Sequence, residues 1–169
     1  EEAEKLGIFV LPMPFYIDGE CFYESVTLSR ELFFEKLAAG ADITTSQPSP
    51  TAVMEIWDKA LEQFEKILYM PISSGLSGSY ETAMMLAKDE AYEGRVLVVD
   101  DGQVAAPLHQ LVLDTLDMIK KGYEAEQIRD LLERAGDRMM IYIALQTLEC
   151  LKKGGRVTPA AAALGSVFN

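Results

Sequence analysis

The run from Arg95 to Asp100, R-V-L-V-V-D, constrains this chain more than any other feature. A strand with one wet face alternates apolar and polar residues, whereas four consecutive apolar residues belong to a strand covered on both faces, as in parallel sheets. The neighbouring patterns provide the cover. Ile67 to Met70 reads as a short buried strand, followed by a helix from about Ser77 to Asp89. Helices at roughly 103–121 and 124–135 follow the valine run, and M-M-I-Y-I-A-L from 139 to 145 reads as a further strand. Strand, helix, strand, helix, strand predicts a parallel α/β sheet with helices on its faces. In such sheets ligands sit beyond the carboxyl ends of the strands. That rule singles out the loop at 73–79, D-D-G-Q at 100–103 and Q-T-L-E from 146.

The first third reads differently. E-E-A-E-K-L-G looks like the last turns of a helix closed by Gly7. I-F-V-L-P-M-P-F-Y-I is strand-like, and Pro12 and Pro14 favour an edge strand over a central one. D-G-E at 18–20 signals a hairpin turn into C-F-Y. Ser29 is the N-cap candidate for a helix that stops at Gly40, and Ser49 or Pro50 opens another through about Glu65. The chain starts at Glu1 without Met and stops inside the apolar L-G-S-V-F-N, so the expectation is a piece of a longer protein.

Composition narrows the function classes. With 169 residues, 49% hydrophobic and 25% charged, the chain has room for one ordinary domain with a real core. A net charge of −12 and a pI near 4.5 oppose general binding to nucleic acid or acidic membranes. No apolar run reaches membrane-spanning length, and no basic-then-apolar leader is present. Cys21 and Cys150 lack CxxC spacing and a companion histidine cluster. Reduced thiols in a cytoplasmic protein, with no metal and no cofactor, are therefore expected.

Three polar segments carry candidate chemistry. In M-P-I-S-S-G-L-S-G-S-Y-E-T-A (70–83), Gly75-Leu76-Ser77-Gly78-Ser79 lacks the final glycine of a nucleophile elbow. The single histidine, His109, stands early in a predicted helix, so Ser77 has no obvious base. A phosphate loop would need lysine after Gly78, and none is there. The residues instead offer hydroxyls and backbone N–H groups at a helix N-terminus, suited to a phosphate or a carboxylate. They equally describe a capped helix, with Ser77 as N-cap and Glu81 in the first turn. T-T-S-Q-P-S-P (44–50) is either a set of hydroxyl donors on a stiff turn or a turn plus helix cap. In K-K-G-G-R-V-T-P (152–159), Lys152 and Lys153 end a short helix stopped by Gly154. Arg156 then either reaches an anion or belongs to a solvated basic turn. The small apolar run after Pro159 suits a closely packed helix or a channel lining.

Taken in order, I-T-T-S-Q-P-S-P, P-I-S-S-G-L-S-G-S-Y-E-T-A, V-V-D and L-x-x-L-K-K-G-G-R-V resemble the DegV family of bacterial fatty-acid-binding proteins, from Gly7 to Asn169. The resemblance implies a two-domain α/β protein of the EDD fold with one long-chain fatty acid between its domains. Residues 1–145 would form an α/β domain lacking its usual first strand, and 146–169 the beginning of a second. Family members similar to the binding subunit of bacterial fatty acid kinase hold the acid while a separate ATP-dependent subunit phosphorylates it, and do no chemistry themselves. Carried over by motif, Thr45 and Ser77 grip the carboxylate, the Gly78 N–H is a third donor and Arg156 lies beside the head group. Ser46, Ser74 and Ser79 are outer supports. The chain departs from the family in lacking the first strand with its Asp-Ser turn and the later histidine, for which His109 is no substitute. D-D-G-Q-V-A-A-P also stands where D-S and smaller polar residues are expected. Outside this resemblance, the alternatives are a small serine esterase or phosphotransferase using Ser77, and an acidic interaction module.

Overall fold

The computed structural model describes residues 2–23, 26–144 and 148–157, with the side chains of Glu149 and Cys150 outside that description. In chain order the elements are α1 (Glu2–Leu6), β1 (Pro14–Ile17), β2 (Glu20–Tyr23), α2 (Arg30–Ala38), β3 (Ile43–Thr45), α3 (Pro50–Leu61), β4 (Ile67–Tyr69), α4 (Ser79–Leu86), β5 (Val96–Val98), α5 (Ala105–Lys120), α6 (Ala125–Gly136) and α7 (Glu149–Lys153). They divide into two compact units, Glu1–Pro12 with Gln47–Ile141, and Met13–Ser46 with Tyr142–Asn169.

In the first unit β4 and β5 pair in parallel, with Ile67 opposite Val96, Leu68 opposite Leu97 and Tyr69 opposite Val98. Both faces of the pair are covered, as the uninterrupted apolar run requires. On one face Val96 and Val98 pack with Val53 and Trp57 of α3, Ala83 of α4 and Tyr92. On the other, Val99 meets Leu111 of α5 and Ile128 and Leu132 of α6, with Leu68 and Met70 against them. Each such side chain, taken wholly out of water, contributes about 1.5–3 kcal/mol. The Trp57 ring stands edge-on to Tyr69 and Tyr92, with centroids 5.3 and 5.1 Å away. The Tyr92 hydroxyl donates to Asp58 Oδ1 at 2.9 Å, and burial together with that bond pushes its phenol up to about 12.

Local chemistry sets the helix bounds. Ser49 Oγ accepts from the Ala52 N–H and Pro50 occupies the first turn of α3. The helix stops at Leu61, short of the expected Glu65, where the Gln63 amide tightens onto the Ala60 carbonyl three residues back. A reciprocal box between Glu124 and Gln127 opens α6. Its inner face carries Ile128, Leu132 and Gly136, four residues apart. At Gly136 the helix meets the turn after β5, where a Cβ would lie 1.8 Å from the Asp101 carbonyl oxygen. Gln103 closes the same contact by donating its side-chain amide to the Gly136 carbonyl at 2.9 Å.

The second unit is built on an antiparallel sheet in the order β2-β1-β3. Asp18 and Gly19 take φ of 51° and 85°, the two positive angles of a tight hairpin turn that Asp-Gly favours. Phe15, Ile17 and Leu28 form its core with Phe22 and Phe33 alongside. Ser29 caps α2 as expected, accepting from the Leu32 N–H at 3.3 Å. Two expectations need correction. β1 is the central strand, not an edge: Pro12 precedes it and Pro14 is its first residue, so neither ring interrupts the ladder, and the Pro14 carbonyl accepts from Ser46 N–H at 3.1 Å. The edges are β2 and β3, the latter a strand the polar T-T did not announce.

The strand expected from 139 also does not form. Residues 139–144 have no ladder partner among the described residues, and Met140, Tyr142 and Ile143 are exposed where the chain passes from one unit to the other. The parallel sheet of the described residues is therefore β4 and β5. α7 ends at Lys153 as predicted, with Gly155, at φ 74°, returning its N–H to the Lys152 carbonyl. Gln146, Thr147 and the apolar run after Pro159 lie outside the described residues. Among the described residues no helix is long and apolar enough to cross a membrane.

The Gly136 contact gives a direct test. Gly136→Ala places a methyl against a backbone carbonyl that cannot step aside, so it is expected to cost about 3 kcal/mol or more. The measurement is the urea midpoint of the variant against wild type.

Candidate functional site

Beyond the carboxyl ends of β4 and β5 the chain forms two interlaced loops. The Ser73 N–H donates to the Gln103 carbonyl at 2.9 Å, joining the loop after β4 to the loop after β5. The Leu76 and Ser77 amides fold back onto the Ser73 carbonyl at 2.9 and 3.2 Å, making a compact turn with Gly75 at its tip. Asp100 Oδ1 accepts from the Ser74 and Gly102 amides at 3.4 and 3.3 Å. The Ser74 N–H is thus already engaged by an internal carboxylate.

The turn delivers Ser77, Gly78 and Ser79 to the entry of α4. The N-cap is Gly78, one residue later than expected, and no side chain caps it. Ser77 instead accepts from the Ser79 N–H at 3.2 Å, while its Oγ lies 2.7 Å from the buried Ser79 Oγ. A serine oxygen has two acceptor positions and one proton. When Ser79 donates, both acceptor positions of Ser77 are filled and its proton is left for an acceptor outside the loop. A helix entry, with its unpaired amides and the positive end of its dipole, favours a negative acceptor there. Of the sequence readings of this stretch, the structure gives the helix start, with its N-cap at Gly78 and not at Ser77.

Gln47 was not singled out in the sequence. Its side-chain amide donates to Thr82 Oγ1 at 2.9 Å, and its Oε1 lies 2.8 Å from where a Cβ on Gly78 would sit. A glutamine between a hydroxyl run and a Pro-Ser-Pro helix cap is the available signal, and nothing in it specifies a partner thirty-five residues away.

Negative charge frames the loops. Asp101 is buried; desolvation first, and Asp100 second, hold its carboxyl above the usual range against the Gln103 N–H that it accepts at 2.8 Å. Its Oδ2 has no partner among the described residues. Burial, with Asp100 next, also raises the Tyr80 phenol. His109 is exposed on α5, its Nε2 3.1 Å from Glu2 Oε1, whereas Ser77 Oγ is bonded to Ser79. Among the described residues no group of His, Cys, Asp and Glu is arranged to hold a metal.

The other sequence candidates lie in the second unit. Thr45 is exposed on β3 opposite Phe15, and Ser46 follows it half-buried. Arg156 is exposed just past α7, its guanidinium donating to the Gly154 carbonyl. Ser74, Ser77, Gly78 and Ser79 share one loop of the first unit.

A family model described as uncharacterised protein, DegV family, matches residues 1–169. A DegV domain-containing protein of Deinococcus radiodurans is 32% identical over 170 residues, covering 100% of this chain and 60% of that protein. A DegV family protein from Thermus thermophilus, solved for its fatty acid binding, aligns with a TM-score of 0.87 and 32% identity over 99% of this chain and 59% of its own. The fatty acid binding DegV family protein of Streptococcus agalactiae aligns with a TM-score of 0.82 and 25% identity over 94% of this chain and 56% of its own. The chain spans about 60% of the length of the curated relatives it matches. Matched along its whole length by that family model, the chain belongs to the DegV family.

Proposed function

We propose that the protein binds a long-chain fatty acid, with its carboxylate at the entry of α4 and its acyl chain in an apolar tunnel. The observation that carries this reading is the Ser77–Ser79 hydroxyl pair beside the uncapped Gly78, which offers neutral donors and no base. Ser77 and the Gly78 N–H grip the carboxylate, with Ser79 behind Ser77 and Ser74 in the outer support. Thr45, Ser46 and Arg156 enter through the family motifs in which they stand, Thr45 as a second hydroxyl and Arg156 beside the head group. The named relatives from Thermus thermophilus and Streptococcus agalactiae support the ligand class.

The energetics favour this division of labour. A buried carboxylate needs several hydrogen bonds to offset its desolvation. The acyl chain supplies most of the affinity, at about 0.8 kcal/mol per buried methylene. We further infer a cytoplasmic carrier role without chemistry of its own, presenting the acid to an ATP-dependent fatty acid kinase subunit. This step rests on the family resemblance.

Lipid extracted from the purified intact protein is expected to contain fatty acid by mass spectrometry; no fatty acid there, and none bound on titration, would sink the reading. Thr45→Ala and Ser77→Ala each remove a hydrogen bond to a charged group, so each is expected to weaken binding about ten- to a hundredfold by calorimetry. Unchanged affinity would refute the head-group assignment. Loaded protein, the kinase subunit and ATP are expected to give an acyl phosphate trapped by hydroxylamine, and no hydroxamate would overturn the presenting role.

A further inference from the structure

We propose that Gln47 is a positioning residue for the ligand head group, acting by clamping the first turn of α4 from outside; this rests on the fatty-acid reading above. The turn is already closed from inside by the Thr82 N–H donating to the Gly78 carbonyl at 3.1 Å. Gln47 spans the same two residues on the outer side. Its Nε2 holds Thr82 Oγ1 at 2.9 Å, and its Oε1 rests against the α-carbon side of Gly78. The carboxamide suits this task because its amide donates to the Thr82 hydroxyl while its oxygen fills the space a side chain at 78 would take. Ser77, whose hydroxyl faces the ligand in that reading, and Ser79 behind it flank Gly78 directly, so a shift of this turn re-aims the Ser77 hydroxyl and the Gly78 amide together.

The clamp also explains why position 78 is glycine. Gly78 has φ −71° and ψ 9°, a conformation any residue adopts without strain. Backbone freedom is therefore not the reason, and alanine there would ordinarily stabilise by reducing the freedom of the unfolded chain. What excludes a side chain is Gln47 Oε1, 2.8 Å from the Cβ position. A methyl can enter only if the carboxamide moves aside, which disturbs its bond to Thr82. Residues 47 and 78 are thus energetically coupled although 31 positions separate them in sequence.

The experiment uses the intact protein, palmitic acid and hexadecanol, which share a chain and differ in the head group. Gln47→Ala is expected to weaken palmitic acid about tenfold while leaving hexadecanol unchanged. An equal loss for both lipids, or no loss for either, would overturn the positioning role. Wild type that binds neither lipid would instead overturn the fatty-acid reading, and this inference with it. A second arm needs no ligand: Gly78→Ala is expected to lower Tm in the Gln47 background and to leave it unchanged or raised in the Gln47→Ala background. The same Tm change in both backgrounds would refute the clamp.

Discussion

Burial of β5 on both faces is the constraint from which the first unit follows. Val96 and Val98 are packed against α3 and α4, and Val99 against α5 and α6, so the strand cannot slip by one residue without exchanging its two cores. β4 is locked beside it in register, with Leu68 and Met70 turned to the opposite face from Ile67 and Tyr69. Fixed strands end at fixed places. The Ser73–Gln103 bond can therefore join the two following loops, and the Asp100 carboxylate can gather amides from both. The serine turn inherits its position from an apolar core that it barely touches.

The loop's chemistry is that of neutral dipoles. Ser77 has hydroxyl and amide neighbours where a nucleophile would need an imidazole, and the closest carboxylates in the hydrogen-bond network, Asp100 and Asp101, serve backbone amides. An arrangement of this kind stabilises an anion without activating the oxygen that touches it.

Much of the frame was legible in the sequence because it rests on local rules. The valine run declared a doubly covered strand, Asp18-Gly19 declared a hairpin, and Ser29 and Ser49 declared helix starts through bonds to amides three residues on. Failures came where a distant partner decides. Prolines suggested an edge for β1, but whether a strand is central depends on who pairs with it, and β3 does. Met139 to Ala144 has strand composition yet finds no ladder among the described residues. The serine motif was recognised, but its helix starts at Gly78's far side and not at Ser77, because a hydroxyl pair took up the capping bond. Gln47 was invisible because its role exists only through Thr82 and Gly78.

Trp57 carries a last consequence, of a spectroscopic kind. It is the single tryptophan of the sequence, 1% exposed, flanked edge-on by Tyr69 and Tyr92, with its indole N–H lacking any partner among the described residues. An indole shielded this completely from bulk solvent has little around it to relax its excited state, so it emits towards the blue end of the tryptophan range. Its colour is therefore a private report on the face that α3 and α4 make with the strands, with no contribution from the face that α5 and α6 cover.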